Sequence, residues 1–389
     1  MSVAASSVTL ARTWAIRLAW YVARVLPQRQ RVVLATSNRA RIDGNLACIA
    51  AEMRARNPPL PFVVLAYGKR PGLGTLAREM AAAYHIGTSR LFVVDDQFFP
   101  LTVVGARPRS AAVQVWHACG AFKKFGLSRQ DKRTHMMRRV REPALLNRNY
   151  KLFLASSKLT AECYAEAFGQ PVEKFVWDLG IPRTDLLFDN EPASLESIKR
   201  RLRIPANRRV ILYAPTFRGS VAEARSPNNL DLRTLHRVLG RDHVVLLRPH
   251  PHAKFATPLE PDLGGFVIDA SGYPEVNELM LVSDVLVTDY SSVIFEFALL
   301  ERPIALFAPD LPEHEAAHGF YFDYRSEGPG PVFVTTAELA NYLRAGQFDL
   351  NVVRRFRDRW FEVADGHSSE RFVDQIVVPA LAGTERRQA

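Results

Sequence analysis

Val282-Ser-Asp-Val-Leu-Val-Thr-Asp-Tyr-Ser-Ser-Val-Ile-Phe-Glu-Phe-Ala-Leu-Leu300 reads as a strand delivered through a turn into a helix. Val285 to Thr288 is short, apolar and β-branched, Asp289 to Ser291 has turn chemistry, and the helical pattern starts at Ser292. Ser291 or Ser292 is the expected amino-terminal cap. The N–H groups and positive dipole end of such a helix make an anion site, to which Asp289 and the two serine hydroxyls are adjacent. Glu296, one turn in, is placed to reach a ribose hydroxyl.

Working outward, the same unit recurs along the chain. Upstream strand candidates are Val32–Ala35, Phe62–Ala66, Leu91–Val94, Ala112–Trp116 and Leu152–Ser156, with helical stretches such as Asn45–Arg56 and Gly74–His85 between them. After a polar stretch from about Asp189 to Arg209 the alternation restarts, with strands at Val210–Ala214, His243–Arg248, Phe266–Asp269, Val285–Thr288 and Ile304–Phe307. Strands alternating with amphipathic segments signify parallel sheets covered by helices. The fold class expected is α/β, with two doubly wound, Rossmann-like domains facing a cleft at the carboxyl ends of their strands. The divisions read from the sequence are 1–30, an amphipathic N-terminal segment; 31–188, the first Rossmann-like, acceptor-side domain; 189–351, the second; and 352–389, a C-terminal helix crossing back, with a tail.

The chain of 389 residues is 48% hydrophobic, enough to fill two cores. Its 51 basic against 40 acidic side chains, a net +11, favour phosphate-rich partners or an anionic membrane surface. Cys48, Cys119 and Cys163 are too widely spaced for a disulfide framework or a zinc site, which fits a reducing cytoplasm. No apolar run reaches the ~18 to 20 residues of a membrane span. Arg17 and Arg24 interrupt the apolar stretch Trp14 to Leu26, so the segment is read as retained rather than as a secretory signal. On a helical plot Trp14, Leu18, Tyr21, Val22 and Val25 share one face. That face suits either an in-plane membrane helix or a helix packed on the first domain.

Four further segments carry candidate chemistry. In Gln114-Val-Trp-His-Ala-Cys-Gly-Ala-Phe-Lys-Lys-Phe-Gly126, His117 follows a strand and can take a proton near neutrality. The small residues Ala118, Cys119, Gly120 and Ala121 leave a ligand room to approach the backbone, and Lys123 and Lys124 can steady phosphate charge. In Leu246-Leu-Arg-Pro-His-Pro-His252 the prolines hold Arg248 and His250 rigidly at a strand end, which suits a diphosphate. Tyr213-Ala-Pro-Thr-Phe-Arg218 and Gly180-Ile-Pro-Arg-Thr-Asp185 each set an arginine, Arg218 and Arg183, past a strand or turn, as a phosphate ligand or a salt-bridge partner.

Together with Gly319-Phe-Tyr-Phe-Asp-Tyr324, Pro329-Gly-Pro331 and Asp365-Gly-His-Ser-Ser-Glu-Arg371, these blocks resemble the CDP-glycerol:poly(glycerophosphate) glycerophosphotransferase family of teichoic acid and capsule synthesis, from about Ser37 to Val373. The resemblance implies a GT-B architecture with the donor held mainly by the C-terminal domain. It implies His117 as general base, His250 at the donor phosphates, and Arg183, Thr216, Arg248, Ser291, Ser292 and Glu296 lining the CDP-glycerol site. The reaction implied is attack by an acceptor hydroxyl on the phosphorus that bears glycerol, with CMP leaving. The acceptor would be an undecaprenyl-diphosphate-linked saccharide or glycerol phosphate at the cytoplasmic face of the membrane. No cofactor or metal is called for. Five residues, Ala118 to Phe122, separate His117 from the lysines, one more than in the commonest polymerase form; this resembles short priming members. A CDP-ribitol transferase, a sugar-nucleotide glycosyltransferase on the same fold and a non-enzymatic nucleotide-binding protein at the membrane surface are the rivals. The basic segment Lys123 to Arg148 is read as facing anionic headgroups. It lacks the interleaved aromatics of a nucleic-acid binder, so no nucleic-acid partner is expected.

Overall fold

Among the described residues the β-branched runs form two all-parallel sheets of six strands each. The computed structural model describes residues 3–37, 39–68, 73–129, 142–188, 191–218, 230–250 and 261–384; residues 130–141, the middle of the basic segment, lie outside them. The chain divides into two compact units. Unit 1 comprises Met1–Ala118, Phe125–Asp185 and Glu362–Ala389, and unit 2 comprises Cys119–Lys124 and Leu186–Phe361.

The sheet of unit 1 contains β1 (Arg29–Thr36), β2 (Phe62–Ala66), β3 (Ser89–Val94), β4 (Ala111–Gln114), β5 (Leu152–Leu154) and β6 (Phe175–Val176), in the order β2-β1-β3-β4-β5-β6. Val33 pairs with Val63 on one side and Phe92 on the other, and Val93 with Val113. That of unit 2 contains β7 (Arg209–Tyr213), β8 (His243–Leu247), β9 (Val267–Asp269), β10 (Val285–Thr288), β11 (Ile304–Phe307) and β12 (Val332–Phe333), in the order β12-β11-β10-β7-β8-β9. Helices cover both faces of such a sheet, which is why the central strands are unbroken apolar runs. Strand order reverses between β1 and β3 in unit 1, and between β7 and β10 in unit 2. At such points neighbouring loops part to opposite faces and open a crevice.

β4 stops at Gln114, two residues short of the expected Trp116. Trp116 has φ of 52°, which takes it out of extended conformation. The two-residue strands β6 and β12 were not anticipated, because two residues carry no periodicity.

Helix α1 (Val3–Arg24) packs on α3 (Leu73–Thr88). Ile16 and Ala23 are fully buried, Ala23 fits against Gly87, and Arg12 pairs with Glu79. The face bearing Leu10, Trp14, Leu18, Tyr21, Val22 and Val25 is exposed. The helix therefore has two apolar faces, a narrow one of small contacts that docks it and a wider aromatic one turned outward. No helix among the described residues is long and apolar enough to cross a membrane.

In unit 1 the blocks Gly180–Asp185 and Asp365–Arg371 lock to one another. The Asp185 carboxylate accepts from the Ser368 and Ser369 N–H groups at 2.9 and 2.7 Å. Arg371 pairs with Asp365 and donates to the Leu179 carbonyl at 3.0 Å. Gly180 has φ of 73°, and a Cβ there would lie 2.4 Å from Ser368 Oγ, so only glycine fits.

Candidate active site

His117 stands three residues beyond β4, on a turn that Trp116 makes in the left-handed region at a cost of about 1–2 kcal/mol for an L-residue. The Trp116 ring is packed by Phe125, stacked at 5.7 Å, and by Phe168, edge-on at 4.9 Å, and lies 4.3 Å from the His117 ring. His117 Nδ1 lies 3.4 Å from the Asp95 carbonyl, long for a hydrogen bond. With a carbonyl beside Nδ1, the proton belongs on that nitrogen and Nε2 is left as the base. His117 is exposed, yet the protein packed around the ring lowers the imidazole pKa by desolvation. The Asp96 charge and the Asp95 carbonyl oppose that shift, and Arg39 and Arg183 add to it. Asp95 itself is buried, and desolvation pushes its carboxyl up to about 6.

In unit 2 the centre is Asp289, 2% exposed, at the end of β10 and next to the reversal of strand order. Its Oδ1 accepts from the Thr216 N–H at 2.8 Å, the Thr216 hydroxyl at 2.9 Å and the Tyr290 N–H at 2.6 Å. This one carboxylate ties the loop after β7 to the turn after β10. Ser292 makes no side-chain cap and Ser291 Oγ is 3.5 Å from the Val293 N–H, so the turn is organised by the aspartate rather than by a capping serine. Charge explains the difference, since an ionised acceptor holds N–H donors more strongly than a hydroxyl does.

Arg218 is committed in every direction. Nε and Nη2 donate to the Asp310 carboxylate at 2.7 and 3.1 Å, Nη1 to the Thr216 carbonyl and hydroxyl at 3.1 and 2.9 Å, and Nη2 pairs with Asp289 at 2.9 Å. Of the five N–H donors of a guanidinium, four are given to Asp310 and Thr216, and the contact with Asp289 is an ion pair rather than a hydrogen bond. Burial would lower its pKa, but the bonds to Asp310 and Asp289 outweigh it and raise the value above normal. Tyr290 donates to Asp310 at 3.0 Å, and His314, buried, stacks on the Tyr290 ring at 3.8 Å. Lys123 faces this group, its Nζ 5.9 Å from the Tyr290 centroid. Burial draws its pKa down to about 8 against the pull of Asp289, with Arg218 assisting.

The residues singled out from the sequence thus fall in two sets. Unit 1 holds His117, Ala118 and Arg183, where Arg183 Nη1 donates to the His117 carbonyl at 3.0 Å and the Tyr164 hydroxyl to the Ala118 carbonyl at 3.2 Å. Unit 2 holds Gly120, Ala121, Lys123, Lys124, Thr216, Arg218, Arg248, His250, Asp289, Ser291, Ser292 and Glu296. His250 packs against Phe217 at 4.8 Å, Arg248 donates to the Ser271 carbonyl, and Glu296 is buried. Lys123 bridges Phe320, and the Lys124 N–H donates to the Gly319 carbonyl at 3.0 Å. Gly120 is small for packing: a Cβ there would lie 2.3 Å from Phe295, a ring that occupies the space the sequence offered to a ligand. Asp310 and His314 escaped the sequence reading. Asp310 follows β11 by three residues, so the strand-end rule applied to the other motifs would have found it.

Two doubly wound parallel sheets in tandem, with polar side chains gathered at their carboxyl ends, are the fold class of GT-B transferases. The chain belongs to the CDP-glycerol:poly(glycerophosphate) glycerophosphotransferase family, whose model matches residues 18–378. It is 34% identical to the teichoic acid poly(ribitol-phosphate) polymerase of Bacillus spizizenii, over 93% of this chain and 58% of the relative's length. It is also 34% identical to the teichoic acid ribitol-phosphate primase of the same organism, over 90% of this chain and 91% of that one. Among solved structures, the wall teichoic acid polymerase TagF superposes with a TM-score of 0.79 at 22% identity, over 97% of this chain and 96% of that chain, a likeness of fold. The expected family and fold class are both met.

Proposed function

We propose that this chain transfers a polyol phosphate from its CDP ester to a hydroxyl of a teichoic acid acceptor carried on undecaprenyl diphosphate, releasing CMP. The observation that carries the reading, in a chain of this family, is the tie between Thr216 and Asp289 at the strand-order reversal of unit 2, with Arg248, His250 and Ser291 on the neighbouring strand ends. His117 Nε2 takes the proton of the acceptor hydroxyl. The oxygen so freed attacks the phosphorus bearing the polyol, and the bond from that phosphorus to the oxygen of CMP breaks. Such transfer needs alignment and charge stabilisation. Arg248, His250, Lys123, Lys124 and the amides at Ser291 and Ser292 supply positive potential to the diphosphate, with Glu296 towards the ribose. Arg218 gives four donors to Asp310 and Thr216 and pairs with Asp289, so its part is to hold Asp289 and Asp310 in place.

The family name points to CDP-glycerol, and the ribitol-phosphate names of the two relatives point to CDP-ribitol. Incubation of the purified chain and a lipid-linked acceptor with each donor in turn, read by CMP release and product mass, decides between them. His117→Ala is expected to lower turnover by about 10²- to 10⁴-fold with donor affinity retained. Release of UDP from a UDP-sugar, with neither CDP ester consumed, would overturn the proposal. A peripheral position at the cytoplasmic face of the membrane belongs to the same proposal, and the outward aromatic face of α1, where Trp14 and Tyr21 lie among Arg17 and Arg24, supports contact with a lipid surface. Aromatic side chains suit the headgroup boundary and arginines suit anionic lipid.

A further inference from the structure

The turn that carries His117 has an unusual hydrogen-bond account. From Val115 to His117 no backbone group belongs to a helix, yet the structure supplies named partners one after another. The Val115 N–H donates to the Val94 carbonyl at 2.8 Å. The Val115 and Trp116 carbonyls both accept from Asn45 Nδ2, each at 3.0 Å. The Trp116 N–H donates to Gln114 Oε1 at 2.9 Å, and Gln114 Nε2 donates to the Asp96 carbonyl at 2.9 Å. The His117 carbonyl accepts from Arg183, whose own N–H donates to Asn45 Oδ1 at 3.0 Å. Asn45 and Gln114 are 3% and 1% exposed, too deep in unit 1 to meet a ligand from solvent.

We propose that Asn45 and Gln114 are positioning residues that hold the left-handed turn at Trp116, and through it fix the imidazole of His117 for proton transfer. A left-handed tryptophan persists only where its surroundings over-determine it. The two amides do this by occupying both sides of the turn with donors and acceptors matched to its backbone. Gln114 bridges the end of β3 to the turn after β4, and Asn45 links that turn to α2 (Gly44–Ala55) and to Arg183. Neither contact depends on sequence neighbours alone, so the geometry at His117 is inherited from three separate elements. Side chains that lock a reacting group in this way act on rate rather than on substrate affinity.

This inference rests on His117 being the base, and the test separates the two. Gln114→Met and Asn45→Ala remove the hydrogen bonds without adding charge beside the groups that face His117, namely Asp95, Asp96, Arg39 and Arg183. The His117 imidazole is followed by ¹H–¹⁵N NMR titration of the full chain, its signal assigned among the ten histidines by loss in His117→Asn. In both variants the titration midpoint is expected to move up towards the ordinary histidine value as the ring loosens. kcat should fall about tenfold or more with KM for the CDP ester within about twofold. Asn45→Ser, which retains one donor, is expected to recover part of the loss, and it carries the test should Gln114→Met fail to fold. A shifted midpoint with unchanged kcat upholds the positioning and removes His117 from the chemistry. Variants that melt like the parent and leave both midpoint and kcat unaltered would overturn the inference.

Discussion

Gly120→Ala separates packing from ligand access at the small-residue run after His117. The added Cβ would sit 2.3, 2.4 and 2.8 Å from Cδ1, Cε1 and Cγ of Phe295. Ordinary van der Waals contact requires the ring or the backbone to retreat by about 1 Å. Phe295 has no slack to give: it is fully buried, and its ring is flanked by Phe356 at 5.2 Å, Trp360 at 5.3 Å and Phe122 at 6.4 Å. Overpacking of this kind costs about 1–3 kcal/mol, which at roughly 2–4 °C per kcal/mol for a unit of this size lowers Tm by roughly 2–12 °C. Gly74→Ala is the control. It lies in α3 with nothing within 4 Å of the new methyl group, and should be neutral or stabilising by up to about 1 kcal/mol. Thermal melting followed by circular dichroism, with a KM for the CDP ester on each variant, reads both effects. If Gly120→Ala melted like the parent while losing donor affinity, the ring would not be what excludes a side chain, and the packing argument would be refuted.

Because the protein around His117 lowers its pKa, the unprotonated base should persist below the ordinary histidine value of 6.5, and kcat/KM should fall only at more acid pH. An acid limb centred above 6.5 would contradict this. The same depression means that the unfolded chain takes up a proton the folded one resists, so His117 removes stability as pH drops below 6.5, a sign that urea titrations at pH 5.5 and 7.5 can check. Asp310→Ala strips Arg218 of two charge-assisted bonds and Tyr290 of one. With Asp310 30% and Arg218 25% exposed, the expected loss is about 2–3 kcal/mol, and a cycle with Arg218→Met should return a coupling of about 2 kcal/mol; additivity would deny the clamp. Trp14→Ser with Leu18→Ser should cut co-sedimentation with phosphatidylglycerol vesicles by about tenfold or more while leaving the melting temperature unmoved. Equal sedimentation of variant and parent would dissociate α1 from the lipid surface.

Fold class and family were legible in the sequence because they rest on local signals. Short β-branched runs such as Val285–Thr288 and His243–Leu247, alternating with amphipathic segments, read as strands of a parallel sheet, and His117, Arg248, His250 and Asp289 announce themselves by following such runs. What a side chain does there was not legible, since it depends on partners far along the chain. Arg218 read equally as a phosphate ligand or a salt-bridge partner, and only the fold brings Asp310, 92 residues away, against it; the small residue at 120 read as a space for substrate until Phe295 filled it. The plot of α1 identified its aromatic face but not which way it points, because periodicity reports that two faces differ and only the docking of Ile16 and Ala23 on α3 decides which is covered. Asn45 and Gln114 carried no signal at all: an amide has no characteristic spacing, and its value at the His117 turn comes from backbone groups that the folded sheet and α2 bring within 3.0 Å.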